Sequence, residues 1–215
     1  MAATKTKTKA KTNGQPVNRI ADELGEVAKL NEIKKRGMEV TITSLSPLIQ
    51  HQWSEKAMTM MRDKQQSGKK SKNRENRDPK AEAEAATYRT AEGDYALPAL
   101  ALKSAIITAA HKDIGIEKTL VRKALFIDAP SDMMLRMECS EPWVREDCVR
   151  VGMGSADLRY RPQFDEWAVK FMVEFDADLL QPSDIMNLID RAGFGVGVCE
   201  WRPEKGGEFG RFRVL

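Results

Sequence analysis

The chain has 215 residues, 41% hydrophobic and 31% charged, which suits one domain with a real core plus extensions. A net charge of +3 is too small to argue for a nucleic-acid partner by itself, so the clustering of cations has to carry that argument. No apolar run reaches the roughly 18 residues of a membrane span and no secretory leader is visible. The expectation is therefore a soluble intracellular protein, with Cys139, Cys148 and Cys199 as reduced thiols.

Residues 1–16 alternate lysine with threonine or alanine and lack large apolar side chains, the composition of a disordered basic tail. Ile20, Leu24, Val27 and Ile33 predict a helical extension over residues 17–37, weakened at Gly25. From Glu39 to Leu45, Val40 and Ile42 alternate with Thr41 and Thr43 and predict a strand. Residues 49–61 are expected to be helical. Residues 62–80 carry eight Lys or Arg against three acidic residues, with no aliphatic side chain, and read as a mobile basic insertion that includes Lys69 and Lys70. A short, exposed, alanine-rich helix is expected over residues 80–87.

Leu97-Pro98 predicts the start of a helix running to about Lys112, with Leu102, Ala105, Ile106 and Ala109 on its buried face and Lys103 off it. Ala124 to Asp128 and Met133 to Cys139 read as strands around the turn 129–132. Arg145 to Pro162, arginine-rich and glycine-containing, reads as a protruding hairpin. Trp167, Val169, Phe171, Val173 and Phe175 alternate strictly and predict the best strand in the chain.

The C-terminal stretch is the most informative. Pro182 sits at a first helical position, Asp184 in the first turn and Gly193 past the last apolar residue. Between them Ile185, Leu188, Ile189 and Ala192 share one face. A strand is expected from Val196 to Trp201, then a loop with Gly206, Gly207 and Gly210, then a closing strand from Arg211. The core order, strand, helix, strand, strand, helix, strand, fits an α+β fold of the ferredoxin-like βαββαβ pattern.

Cations and aromatics interleave at Arg159-Tyr160-Arg161, at Trp201-Arg202 with Lys205, and from Phe209 through Arg211 to Arg213. Cations for phosphates beside rings for bases are the composition of a single-strand nucleic-acid surface. The alternative is that Trp201, Phe209 and Phe212 are core and the charges form an ordinary polar face.

The helix, the GFGVG segment and the loop ending GEFGRFRV resemble the C-terminal signature of the RAMP superfamily, the RNA-binding subunits and processing nucleases of CRISPR systems. VTITSLSPLIQ (residues 40–50) is similar to that family's first strand, and YALPALALKSAIITAAH (residues 95–111) to its Pro-initiated helix with a Leu-Lys pair. The ending WRPEKGG-x-FGRF also resembles a type of phage protein. The resemblance implies an RRM-like core over residues 38–215 with the glycine-rich loop against bound RNA or single-stranded DNA. It further implies side-by-side homo-oligomers on the strand, in the cytoplasm of a bacterial host. The expected contacts are Lys103, Arg159, Tyr160, Arg161, Trp201, Arg202, Lys205, Gly206, Gly207, Gly210 and Arg211, with Lys69 and Lys70.

Catalytic signals are sparse. His51 lies close to where RAMP processing nucleases keep a histidine, so a ribonuclease is the runner-up, with the imidazole taking the proton of a 2′-hydroxyl. Asp147 and Asp157 are the acidic candidates on the hairpin, but no motif singles out either. No His/Cys spacing points to a metal, and the glycines lack the GK[ST] of a nucleotide loop. The expectation is a non-enzymatic binder without metal or cofactor. The third reading is an interaction or structural protein with no nucleic-acid role.

Overall fold

The computed structural model describes residues 32–53, 58–59, 62, 77–151 and 155–215. In chain order the strands are β1 (Lys35–Ser44), β2 (Leu48–Ile49), β3 (Ala96–Pro98), β4 (Leu125–Asp128), β5 (Met134–Cys139), β6 (Trp143–Val151), β7 (Ser155–Phe164), β8 (Trp167–Asp176) and β9 (Phe212–Val214). The helices are α1 (Pro79–Ala85), α2 (Ala99–Ile114), α3 (Lys118–Ala124) and α4 (Pro182–Arg191). The protein is thus α+β, with antiparallel sheets.

The strictly alternating segment becomes the centre of the larger sheet. β8 pairs antiparallel with β1 along one edge, and with β5 at residues 167–169 and β4 at residues 172–175 along the other. β9 closes on β1, and β3 adds to β5 as an edge strand, where a proline without an N–H is tolerated. Trp167, Val169, Phe171, Val173 and Phe175 are all buried, because a period of two sends every second side chain to the same face. That face packs on α2 through Leu102, Ala105, Ile106 and Ala109, as their helical spacing requires, and on α4 through Ile185, Leu188 and Ile189.

α4 starts at Pro182, whose missing N–H is no loss at a helix start, and the Asp184 carboxylate accepts from the Gln181 backbone N–H at 3.0 Å. The opposite face of the sheet is open. Two of its cations are matched across strands, Lys170 on Glu39 at 2.9 Å and Lys35 on Glu174 at 3.4 Å.

A second, three-stranded sheet, β2-β7-β6, carries the expected hairpin. β7 runs straight into β8, so the hairpin grows from the base of the main sheet. α1 lies against it: Arg77 bonds Asp157 at 2.7 Å and Glu82 at 2.6 Å, and Asp78 caps α1 by accepting from the Lys80 N–H.

Several expectations are corrected. Residues 77–80 of the basic insertion are ordered by those bonds, and α1 is not simply exposed, since Ala83 and Ala86 are buried. Ile33 precedes β1 in non-helical backbone, and residue 49 is strand rather than helix. Residues 196–201 form no strand: a π-turn (Ala192–Val196) gives way to a turn with Gly197, Cys199 and Trp201 at positive φ, which ends any extended run. α3 and the two- and three-residue strands β2 and β3 are additions, too short to show a period. The N-terminal tail, most of the helical extension, most of residues 54–61, and Lys69 and Lys70 lie outside the described residues.

Candidate functional site

The functional candidates converge where one face of the β6–β7 hairpin meets the C-terminal loop. Directly opposite each other in the ladder stand Arg145 and Arg161, a like-charge pair that would repel unless neutralised. Asp147 does this by accepting from Arg145 Nε at 2.8 Å and from Arg161 Nη2 at 2.6 Å. The Arg161 and Asp147 side chains are only 3% and 6% exposed, so this is an ion pair taken out of water. Arg161 Nη1 reaches Glu200 of the loop at 3.5 Å, and its Nε has no partner among the described residues.

The loop presents rings to these cations. Trp201 lies 5.7 Å from the Arg161 guanidinium and 5.9 Å from that of Arg145, and Phe209 lies 5.0 Å from Arg145, all within cation–π range. Backbone bonds fix the loop on itself and on β2: Val198 N–H to the Gly210 carbonyl, Phe209 N–H to the Trp201 carbonyl, and Glu200 N–H to the Ile49 carbonyl. This close approach is what its glycines serve. A Cβ on Gly207 would lie 1.7 Å from the Trp201 carbonyl oxygen, and one on Gly210, at φ +67°, 1.9 Å from that of Val198. Gly206 differs, with open space where its Cβ would be.

Not every expected contact is free. Arg161 is an internal tie between hairpin and loop, a correction to its expected role on phosphates. Arg202 is partly spoken for, donating to Glu204 at 3.0 Å and to the Cys199 carbonyl at 2.9 Å. Lys103 is not brought to this site; its ammonium sits 4.1 Å over the Phe126 ring, beside α3. Phe212 is wholly core and Phe209 half-buried, whereas Trp201 remains 40% exposed. Lys205 and Gly206 are exposed, Arg159 and Tyr160 half-exposed on the hairpin. Trp201, Arg202, Lys205, Gly206 and Gly207, with Cys199 and Glu200, line an open cleft of about 560 Å³.

One residue is new. Phe194, in the GFG of the π-turn, is 70% exposed, and the Arg211 guanidinium stands 5.2 Å over its ring. Its signal in sequence was the flanking Gly193 and Gly195, which leave an aromatic without bulky neighbours to cover it.

His51, at the end of β2, is half-buried. Burial lowers its pKa below the ordinary 6.5; Glu200 opposes the shift and Arg161 and Arg159 reinforce it. The neutral imidazole is thus favoured. Cys199, in the loop, is pushed by burial up to about 12, which keeps it a thiol rather than a nucleophile. Asp147 and Asp157, the acidic candidates, are both engaged by arginines. His111, in the last turn of α2, has Nδ1 3.4 Å from the Ile116 carbonyl. Among the described residues no group of three or more His, Cys, Asp or Glu is arranged to hold a metal ion, and no helix is long and apolar enough to cross a membrane.

No protein-family model matches this chain, and no curated protein matches it.

Proposed function

We propose that this protein binds single-stranded nucleic acid along the seam between its hairpin and its C-terminal loop, on a ferredoxin-like core of the RAMP type, without catalysing a reaction. The core assignment is supported by strand order. Taking β4 and β5 together as one position, the strands run fourth, first, third, second across the sheet (β9, β1, β8, β4/β5), with α2 and α4 in the two crossovers.

The observation that carries the binding reading is Trp201. A large ring, 40% exposed and flanked by two guanidinium groups, stands at the rim of an open cleft lined by Lys205 and Arg202. Bases stack on such a ring, and cations beside it follow the phosphates. Phe194 with Arg211 offers a second platform of the same kind. Lys205, Gly206 and Arg159, the last also paired with Asp157 at 3.1 Å, extend this surface, whereas Tyr160, between Arg159 and Arg161 on β7, points to the other face of the hairpin. Arg161, Gly207 and Gly210 hold its shape.

Fluorescent single-stranded RNA and DNA oligonucleotides titrated at several salt concentrations test this. Arg159→Ala with Lys205→Ala weakens binding to every sequence and flattens the slope of log affinity against log salt by about 1.4, two phosphate contacts at roughly 0.7 each. Binding unchanged at every salt concentration rejects the site. The same oligonucleotides remain intact with and without divalent metal; cleavage that disappears in His51→Ala establishes the ribonuclease reading instead.

A further inference from the structure

Two further surfaces, one between α2 and α3 and one beside the seam at the root of the hairpin, complement one another in charge. The first is a groove of about 440 Å³ between α2 and α3, lined by Leu100, Lys103, Ile107, Lys118 and Arg122, with Phe126 beneath the Lys103 ammonium. Leu100 and Phe126 are exposed, and none of the three cations has a carboxylate partner among the described residues. The second is the corner at the root of the hairpin. Trp143, 47% exposed, donates its indole N–H to Asp165 at 3.2 Å; Glu138 near the end of β5, Glu141 before β6 and Glu166 before β8 are exposed, with Glu141 accepting from the Tyr95 hydroxyl at 2.9 Å. None of these carboxylates meets a cation among the described residues either.

We propose that the acidic Trp143 corner of one copy of this chain docks into the basic α2–α3 groove of the next. Charge assigns the pairing: three cations around an apolar floor on one side, four carboxylates and an aromatic side chain on the other. The occupant is a second copy because one chain cannot satisfy both patches itself. Phe126 pairs with Glu174 near one end of β8 and Cys139 with Trp167 at the other. Seven residues of strand separate them, about 23 Å at the usual rise. A contact between different patches is heterologous, so it leaves a free groove at one end and a free corner at the other and propagates into a ring or filament. The inference deepens the nucleic-acid reading by giving side-by-side subunits a contact, yet it is tested without any strand.

Sedimentation velocity of nuclease-treated protein over rising concentration reads the mass. Wild type grows with concentration, less so at high salt, which screens the charges. Lys118→Glu with Arg122→Glu stays monomeric, and so does Glu141→Lys with Glu166→Lys. Mixing the two variants restores a dimer, because the intact groove of the corner variant then meets the intact corner of the groove variant. A wild type that stays monomeric at every concentration overturns the proposal, as do single-sided variants that associate like wild type or a mixture that fails to recover. Binding of an oligonucleotide too short for two protomers separates the readings. Both reversed variants retain it; loss confined to the groove variant makes the groove a nucleic-acid surface and overturns the docking. A wild type that associates but binds no strand sinks the proposed function and leaves the docking standing.

Discussion

The main sheet and the hairpin–loop seam are held by different forces, and they respond differently to substitution. In the sheet, apolar side chains from β1, β8, α2 and α4 form one core in which any member supports many neighbours. In the seam, a short chain of charges and rings does the same work: Asp147 between Arg145 and Arg161, then Glu200, Trp201 and Phe209. Burial of apolar surface is non-directional and forgiving of detail. A buried ion network is directional, and removing one member leaves another unpaired. The seam is therefore the place where stability and ligand exposure trade against each other, because the groups that hold it together are the groups that suit a nucleic acid.

The largest expected loss lies in the sheet. Phe171→Ala removes a buried ring from the middle of β8 and costs about 3–5 kcal/mol, read by chemical denaturation as a single lower midpoint. A change below about 1 kcal/mol would mean that β8 is not the centre of the core.

In the seam, Asp147→Ala costs roughly 3 kcal/mol because it strands Arg161 in the protein interior. Adding Arg161→Leu recovers most of that, since an apolar replacement of a buried pair is near neutral. If the double variant is as unstable as the single one, the seam is held by packing rather than charge, and the contrast between the two regions dissolves.

Gly210→Ala forces a side chain into the Val198 carbonyl from a left-handed backbone. The conformation alone costs on the order of 1–2 kcal/mol. Its loss of stability exceeds that of Gly206→Ala, which adopts the same φ region but meets no atom. Equal effects would remove the case for a loop closed on itself.

The smallest effect is in pH. The folded pKa of His51 is lowered, so between that value and the unfolded value near 6.5 the unfolded chain binds more protons. Stability therefore falls as pH drops through the unfolded value and levels off below the folded one. His51→Gln flattens that slope in a denaturation series across mildly acidic pH; an unchanged slope assigns the titration to another group.

The same division explains what could be read from sequence. The period-two pattern of 167–175 and the helical spacing of Leu102, Ala105, Ile106 and Ala109 state their own burial, because a regular element repeats its environment. Val196, Gly197 and Val198 imitate a strand, but positive φ at Gly197, Cys199 and Trp201 turns the chain, and no local pattern encodes that in Cys or Trp. The arginines were found by their spacing, yet Arg159 and Arg161, two residues apart on β7, have different fates. Arg159 is partly open, whereas Arg161 is sealed beneath Trp201 by Asp147 and Glu200, partners 14 and 39 residues away. Exposure of that kind is decided by long-range pairing. Lys103 shows the converse, since its Leu-Lys helix formed as expected but faces a different surface.

The proposed function is tested most directly by mapping where a bound single strand touches the protein. Ultraviolet crosslinking of labelled single-stranded RNA and DNA, followed by peptide mass spectrometry, should place crosslinks on Trp201 and Phe194, with hydrogen-exchange protection on bound β7 and residues 199–211. Crosslinks confined to the open sheet face around Lys170 and Met172, or no bound strand at all, would contradict it.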